Sequence, residues 1–290
     1  MLFELVLKSN LLLGESPVWN SFDNSLYFVD IKNPSIHRLH FPSGCFESIS
    51  APSEIGCIAF SQDGKLIAAM QSGLAHVNFE TSKYSYFSSI DTDRLSNRPN
   101  DGKCDKAGRL WIASMDNNEV KPSGRLWCIS HLTKPKIWDS NFVIGNGIDW
   151  SPDGKKLYFT DSVNRSIFIY DYDLSNGSIK NKKIFATIPK GYGFPDGLTV
   201  DSEGYIWSAH WDGWRITRYA PNGAIDLVVE VPVPRPTSLT FGGSNLNRLF
   251  ITSASYGLTA EDLARSPNSG SIFAYESSVP GQACNRYFSQ

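Results

Sequence analysis

Short runs of β-branched, aromatic and other apolar residues recur along the chain and predict strands. Six runs align with one another, and their anchor residues are separated by 40, 44, 47, 49 and 43 residues. Each run is too short for a typical helix and is rich in residues that favour the extended conformation. In chain order the runs read SLYFVD, KLIAAM, RLWIASM, KLYFTD, YIWSAH and RLFITS.

Each run lies inside a repeated unit of at least three predicted strands. A shorter apolar strand and a turn precede the run, as in IDWSPDGKKLYFT, and a third strand such as SIFIYDY follows in most copies. The turns contain pairs such as Asp-Gly and Glu-Gly, which favour hairpins. Six consecutive units of this length and strand content indicate a six-bladed β-propeller. A tandem of packed β-sandwiches is the alternative, but the repeat continues without a linker.

We therefore predict an all-β protein with a single six-bladed propeller domain of four-stranded antiparallel blades over residues 1–290. The N-terminal run FELVL has no hairpin partner nearby. We expect it to complete the last blade and close the ring, because closure removes the open edges of a sheet. The segment LTAEDLARS is the best candidate for a short helix.

Composition and charge narrow the function classes. The chain is 41% hydrophobic and 19% charged with a net charge of −2, which argues for a globular protein and against nucleic-acid or membrane-surface binding. It lacks the basic start of a signal peptide and any apolar stretch of membrane-spanning length. Its five cysteines form no close pairs, so a disulfide framework is not expected. We expect a cytoplasmic monomer, since a closed ring buries its core without a partner.

One position of the repeat carries polar residues in an unusual concentration. The inner strands of a propeller begin at the same end of its central channel, so residues at one repeat position form a ring at the channel mouth. Four residues before a large or apolar residue of each first strand stand Glu15, Gly56, Asn100, Asn146, Asp196 and Thr237. Two carboxylates and two carboxamides should therefore converge at the mouth.

A divalent cation is the simplest explanation of this ring. Buried carboxylates that face each other are costly unless a positive charge lies between them. Oxygen donors suit hard or borderline ions, so Ca²⁺, Mn²⁺, Zn²⁺ and Fe²⁺ all remain candidates. Few protein ligands would leave room for water and a substrate, as in a catalytic site. The alternative is that these residues cap strand starts and hold channel waters.

Other chemistries find little support. The five histidines fall at different repeat positions and do not converge. No Gly-x-Ser-x-Gly motif is present, and the segment GYGFPDG lacks the strand-turn-helix context of a phosphate loop.

Several segments carry a resemblance to a known family. They read LGESPVW, NRPNDGKCDKAGRLW, NGIDWSPDGKKLYFTDS, PDGLTVDSEGYIW and FGGSNLNRLFITSA. From about Leu13 to about Phe273 the chain resembles the gluconolactonase/regucalcin (senescence marker protein) family, and most of all bacterial sugar lactonases such as xylonolactonase and arabinolactonase. The resemblance implies one divalent metal held by Glu15, Asn146 and Asp196, with Arg98 and Asn100 binding substrate.

The resemblance departs from the family pattern at one position. Animal members carry a substrate-contacting Glu three residues after the methionine of the ASM strand, and this chain has Asn118 there. Asp116, directly after Met115, is a second candidate for that contact. The sugar preference of the animal proteins is therefore not transferred. Asp101, in the same NRPND motif as Arg98, is expected either to serve the site or to have a structural role below it.

The function expected from these residues is hydrolysis of a small-molecule sugar lactone to its acid. The metal would polarise the ester carbonyl, and Asp196 is the candidate general base as well as a ligand. Two alternatives stay open: a non-enzymatic calcium-binding propeller, and a hydrolase of another lactone or ester. The loops after Met115 and around residues 190–194 would decide between sugar and less polar substrates.

Overall fold

Residues 3–288 of the chain are described by a computed structural model, and they form six antiparallel four-stranded sheets. The innermost strands of consecutive sheets contact one another in a closed cycle, which places the sheets around a central channel. The six-bladed propeller predicted from the repeat is confirmed, and each of the six aligned runs is the second strand of its blade.

The strands follow one another from the inside of each blade to its outside. The chain begins with β1 (Phe3–Leu7), which belongs to the last blade. Blades 1 and 2 contain β2 (Gly14–Asn20), β3 (Ser25–Asp30), β4 (Ser35–His40), β5 (Cys45–Ser50), β6 (Ile55–Phe60), β7 (Leu66–Met70), β8 (Gly73–Asn78) and β9 (Lys83–Ser88). Blades 3 and 4 contain β10 (Asn97–Cys104), β11 (Leu110–Asp116), β12 (Gly124–Ser130), β13 (Thr133–Phe142), β14 (Gly145–Trp150), β15 (Lys156–Asp161), β16 (Ser166–Asp173) and β17 (Ser178–Thr187).

Blade 5 is formed by four consecutive strands, whereas blade 6 is completed by β1. Blade 5 and the rest of blade 6 contain β18 (Phe194–Val200), β19 (Ile206–Trp211), β20 (Arg215–Tyr219), β21 (Ile225–Glu230), β22 (Pro236–Gly242), β23 (Arg248–Ser253) and β24 (Ile272–Glu276). The helix α1 (Ala260–Arg265) lies between β23 and β24, where LTAEDLARS predicts one. It begins with a capping box, in which Thr259 and Asp262 bond each other's backbone N–H groups.

The core lies between neighbouring blades. Inner strands such as β6 and β7 are buried along their whole length, whereas outer strands such as β9 are largely exposed. One apolar cluster joins Tyr27 and Ile36 of blade 1 to Ile58 and Met70 of blade 2. Because each blade packs on two neighbours, both faces of its inner strands need apolar side chains, which explains the near-continuous apolar runs.

The ring closes where the two ends of the chain meet in one sheet. β1 pairs antiparallel with β24, with Phe3 opposite Tyr275 and Leu5 opposite Phe273. The rings of Phe3 and Tyr275 lie 5.7 Å apart. The sequence-based prediction that FELVL completes the last blade is confirmed.

The C-terminal segment covers the end of the channel where the inner strands finish. Gln282 Nε2 donates to Trp150 O at 3.1 Å, and Asn285 Nδ2 donates to Cys104 O at 3.2 Å. The Tyr287 N–H then bonds Phe60 O at 2.8 Å. These three acceptors are the last residues of β14, β10 and β6. The sequence did not predict this crossing. Within residues 3–288 no helix is long and apolar enough to span a membrane.

Deleting residues 1–7 tests ring closure. The deletion leaves β24 as an open edge and removes the contact of Phe3 with the core, so we expect a loss of about 2 kcal/mol or more and a Tm lower by about 4 °C or more. Circular dichroism melting measures the shift, and light scattering should detect self-association through the exposed edge. A chain that starts at Phe3 is the control. An unchanged Tm in the longer deletion would contradict the closing role of β1.

Candidate functional site

The predicted ring of polar residues coincides with a break in strand pairing in every blade. Each innermost strand loses its regular register against the second strand near its start. Such β-bulges re-aim side chains and are frequent beside active sites. The irregularities begin at or enclose the six ring positions: Glu15, Gly56, Asn100, Asn146, Asp196 and Thr237.

The structure brings the three predicted metal ligands to one cavity at the channel mouth. Glu15, Asn146 and Asp196 are 4%, 5% and 6% exposed and line the same cavity of about 290 Å³. Asn146 Nδ2 donates to Asp196 Oδ1 and, at 3.3 Å, to Ser162 Oγ. Glu15 Oε2 accepts from the backbone N–H of Ser16 at 2.8 Å.

Two glycines allow this convergence. Gly147 and Gly197 directly follow Asn146 and Asp196. A Cβ atom at Gly147 would lie 2.6 Å from Leu198 N and 2.8 Å from Asp196 O, and one at Gly197 would lie 2.2 Å from Ser238 Oγ. The bulges of neighbouring blades therefore pack in direct contact, which only glycine permits.

The electrostatics of the site disfavour two negative charges without a cation. Burial, followed by the negative charges of Asp196 and Asp101, raises the pKa of Glu15 well above its usual range. Burial and the charge of Asp101 also raise the pKa of Asp196, although hydrogen bonds from Asn146 and the Gly197 N–H act in the opposite direction. The charged form of each carboxyl group is thus costly in the protein alone.

The cations near the site do not bond to these two carboxylates. Among the described residues, Lys103 Nζ pairs with Asp149 Oδ2 at 2.7 Å and Lys32 Nζ with Glu54 Oε1 at 2.8 Å. No hydrogen bond or ion pair joins these lysines or Arg98 to Glu15 or Asp196. Two buried carboxylates and one amide, all oxygen donors, fit a divalent cation. No group of three or more His, Cys, Asp and Glu side chains with metal-binding geometry occurs in residues 3–288, so the amide of Asn146 is needed as the third donor.

Arg98 and Asn100 lie in the wall of the same cavity and orient each other. Arg98 Nη1 donates to Asn100 Oδ1 at 2.8 Å, and Asn100 Nδ2 donates to Gly145 O at 2.9 Å. Arg98 Nε bonds Asn117 Oδ1 at 2.9 Å and lies 3.5 Å from Glu54 Oε2. The side chain of Arg98 is 2% exposed, and these bonds fix the orientation of its guanidinium.

The other two predicted substrate contacts lie elsewhere. Asp116 is buried, but its Oδ2 accepts from the backbone N–H groups of Val120 and Lys121 at 3.2 and 2.9 Å, so this carboxylate holds the following turn together. Asn118 is exposed and is not part of the cavity wall. Glu119, the next residue, lines the cavity instead, from a backbone with φ of 59°.

Asp101 takes a position below the mouth. It borders a separate cavity of about 30 Å³ with Lys103 and Cys104, and its Oδ1 accepts from the Gly102 N–H at 2.6 Å. Burial raises the pKa of Asp101 to about 6. This position agrees with the second expectation for Asp101, a structural role below the site.

Sequence reasoning missed much of the cavity wall. Lys32 and Glu119 supply charge at the rim, and three aromatic side chains, Phe194, Trp211 and Tyr256, supply apolar surface. Phe194 stands two residues before Asp196, and Trp211 is its partner across the strand pair. Their positions at the mouth ends of inner strands were a usable signal, whereas Tyr256 lies in a loop without a repeat equivalent.

Comparison with known proteins identifies the family. The family model described as SMP-30/Gluconolactonase/LRE-like region matches residues 13–255. The chain belongs to this family. Chicken (Gallus gallus) regucalcin is 34% identical to the chain over 270 residues, which cover 90% of the chain and 89% of the relative.

Solved structures of this family share the fold. A regucalcin from Agrobacterium tumefaciens, described as a calcium-binding protein, matches with a TM-score of 0.93 and 27% identity over 98% of this chain and 96% of that one. A luciferin-regenerating enzyme matches with a TM-score of 0.89 and 29% identity over 97% and 96%. One of these two structures is thus described as a calcium-binding protein and the other as an enzyme.

Replacing Gly147 by alanine tests the close packing of the bulges. Backbone atoms of Asp196 and Leu198 block the added methyl group, so we expect a loss of about 2 kcal/mol or more and weaker binding of divalent metal. Thermal melting in chelator and a metal titration measure the two effects. Gly64→Ala is the control: it has φ of +84° but nothing within 4 Å of the new atom, so only a backbone cost of about 1 kcal/mol is expected. Equal losses in the two variants would contradict the packing argument.

Proposed function

We propose that the protein is a divalent-metal-dependent lactonase that hydrolyses an aldonolactone, a pentono- or hexonolactone, to the open sugar acid. The supporting observation is the convergence of Glu15, Asn146 and Asp196 in a small cavity, where no cation from residues 3–288 bonds to either carboxylate. The cavity volume of about 290 Å³ lies at the lower end of small-molecule sites and suits a monosaccharide-sized ligand. Family membership agrees with a lactonase-type hydrolase.

Glu15, Asn146 and Asp196 are the residues that would hold the metal. When bound, a divalent ion supplies Lewis acidity to the ester carbonyl and lowers the pKa of water. The candidates remain Ca²⁺, Zn²⁺, Mn²⁺ and Fe²⁺, because oxygen donors alone do not select among them.

The protein's own groups supply proton transfer and orientation. The carboxylate of Asp196 accepts the proton of the attacking water and returns it to the ring oxygen as the ester C–O bond breaks, which leaves a free hydroxyl on the open acid. Accepting the proton requires the ionised form of Asp196, which a nearby cation favours despite burial. Arg98 presents donors to a carbonyl or hydroxyl oxygen from an orientation fixed by Asn100 and Asn117. Asn100 is the second polar contact for substrate, and Glu119 adds an acceptor at the rim.

A calcium-binding function without catalysis is the second candidate. The similar Agrobacterium protein is described as calcium-binding, and the ligand set proposed here consists of oxygen donors. A third candidate is an enzyme acting on a different lactone or ester, since the similar luciferin-regenerating enzyme shows that members of comparable fold carry other enzyme names. Metal-dependent turnover of aldonolactones separates the first candidate from the other two.

The decisive experiment measures hydrolysis of xylono-, arabino-, galactono- and gluconolactone by chelated protein before and after addition of each candidate metal. Spontaneous and free-metal rates are subtracted. We expect no turnover without metal, restoration by at least one ion, and a loss of about a hundredfold or more in kcat for Asp196→Ala. Asp153→Ala, in the hairpin at the opposite end of blade 4, is the matched control. Tight metal binding without turnover of any lactone would favour the calcium-binding candidate.

Asp196→Asn separates metal binding from folding. The amide removes a buried negative charge, so chelated Asp196→Asn should melt no lower than chelated wild type. Saturating metal at about a hundred times its Kd should raise the Tm of wild type by roughly 5–10 °C, and this rise should vanish in the variant. Differential scanning calorimetry measures both values. An equal metal-induced rise in variant and wild type would exclude Asp196 as a ligand.

A further inference from the structure

The cavity at the channel mouth is divided into a polar floor and a partly apolar rim. The floor carries Glu15, Asn100, Asn146 and Asp196, all less than a tenth exposed. The rim is more open: Val163 and Tyr256 are 44% and 46% exposed.

The rim is also divided between the two halves of the ring. Lys32 and Glu119, on blades 1 and 3, are charged. Blades 4 to 6 contribute Val163, Phe194, Trp211 and Tyr256, which form the wall that we call the aromatic wall. All aromatic side chains of the lining therefore lie on blades 4 to 6. Blades 1 to 3 add the aliphatic side chains of Leu13, Ile31 and Met115 to their charged groups.

A cation lies over each ring of the aromatic wall. The Arg165 guanidinium is 3.8 Å from the ring centroid of Phe194, and that of Arg235 is 4.6 Å from the ring of Trp211. Lys32 Nζ lies 5.6 Å from the ring of Tyr256. Such contacts are attractive and hold a ring in place.

Hydrogen bonds fix two of these cations to groups of the chain beside the rings. Arg165 Nη1 donates to Gly193 O, the residue before Phe194, and Arg235 Nη1 donates to Tyr256 O. Arg235 Nε also bonds Asp212 Oδ1 at 2.6 Å, next to Trp211. The aromatic wall is therefore ordered before a ligand binds, which lowers the entropic cost of binding.

We propose that the preferred substrate is a lactone whose exocyclic carbon chain ends in an apolar group, that is, a terminally deoxygenated aldonolactone. The inference rests on the proposed lactonase activity and narrows its substrate class. With the ester at the floor, the exocyclic carbons extend to the rim and contact Phe194, Trp211 and Tyr256. The side chains of Phe194 and Val163 offer no hydrogen bond to a terminal hydroxyl, whereas a terminal methyl group buries apolar surface against them.

Two matched pairs of γ-lactones test the inference, because each pair differs by one terminal hydroxyl. They are L-rhamnono- against L-mannono-γ-lactone, and L-fucono- against L-galactono-γ-lactone. With metal-loaded wild type we expect kcat/KM about tenfold or more higher for the deoxy member of at least one pair, from the burial of one methyl group. In Trp211→Ala and in Phe194→Ala this ratio should fall toward one.

Trp138→Ala is the matched control variant. Trp138 lies on β13, in the outer strand of blade 3, and Lys136 Nζ is 3.5 Å from its ring centroid. The variant thus also removes a cation-covered tryptophan, but far from the mouth, and the deoxy preference should remain. Circular dichroism confirms that each variant is folded, and the two wall variants provide independent tests if one of them is not.

The outcomes separate this inference from the proposed function. Turnover of lactones with equal or lower kcat/KM for both deoxy members would overturn the inference and leave the lactonase intact. If no lactone is hydrolysed, calorimetric binding of the corresponding free acids to metal-loaded protein decides: tighter binding of the deoxy acids supports the aromatic wall as an apolar subsite. Equal binding of the acids, or none, would overturn the inference.

Discussion

The repulsion between two carboxylates that share a buried space is the constraint on which the site depends. Glu15 and Asp196 come from blades 1 and 5, so nothing in the local chain brings them together; the closed ring does. Their burial raises the pKa of both groups, and the ring must hold them in place against that cost. The pairing of β1 with β24, the bulges at the strand starts and the glycines after Asn146 and Asp196 all contribute to holding them. Functional sites whose arrangement lowers the free energy of unfolding are common in proteins.

The parts of the structure that repeat were predictable from sequence, because a repeat turns a local pattern into a spatial one. The runs around Leu26 to Leu249 predicted six blades, and one repeat position predicted that Glu15, Asn146 and Asp196 meet. The closing strand was predictable by elimination, since FELVL had no hairpin partner.

Features without a repeat equivalent were not predictable in the same way. The turn after Met115 places Glu119 at the cavity, and the Asp116 carboxylate accepts a backbone N–H bond within this turn. A shift of one residue changes which side chain points inward. Tyr256 reaches the rim from a loop whose path depends on contacts with Arg235 and Leu12. Such placements follow from tertiary contacts between distant segments, which periodicity does not encode.

The crossing of the C-terminal segment beneath the blades determines how a ligand enters and leaves the cavity. Gln282, Asn285 and Tyr287 bond the ends of three inner strands, and two cavities of about 30 Å³ lie between this segment and the floor. The pore that a ring of blades would otherwise leave is a dead end. A ligand that enters past Trp211 has to leave by the same route, so one ligand must be released before the next can bind. The rate at which one ligand leaves through the mouth then limits how soon the next can bind.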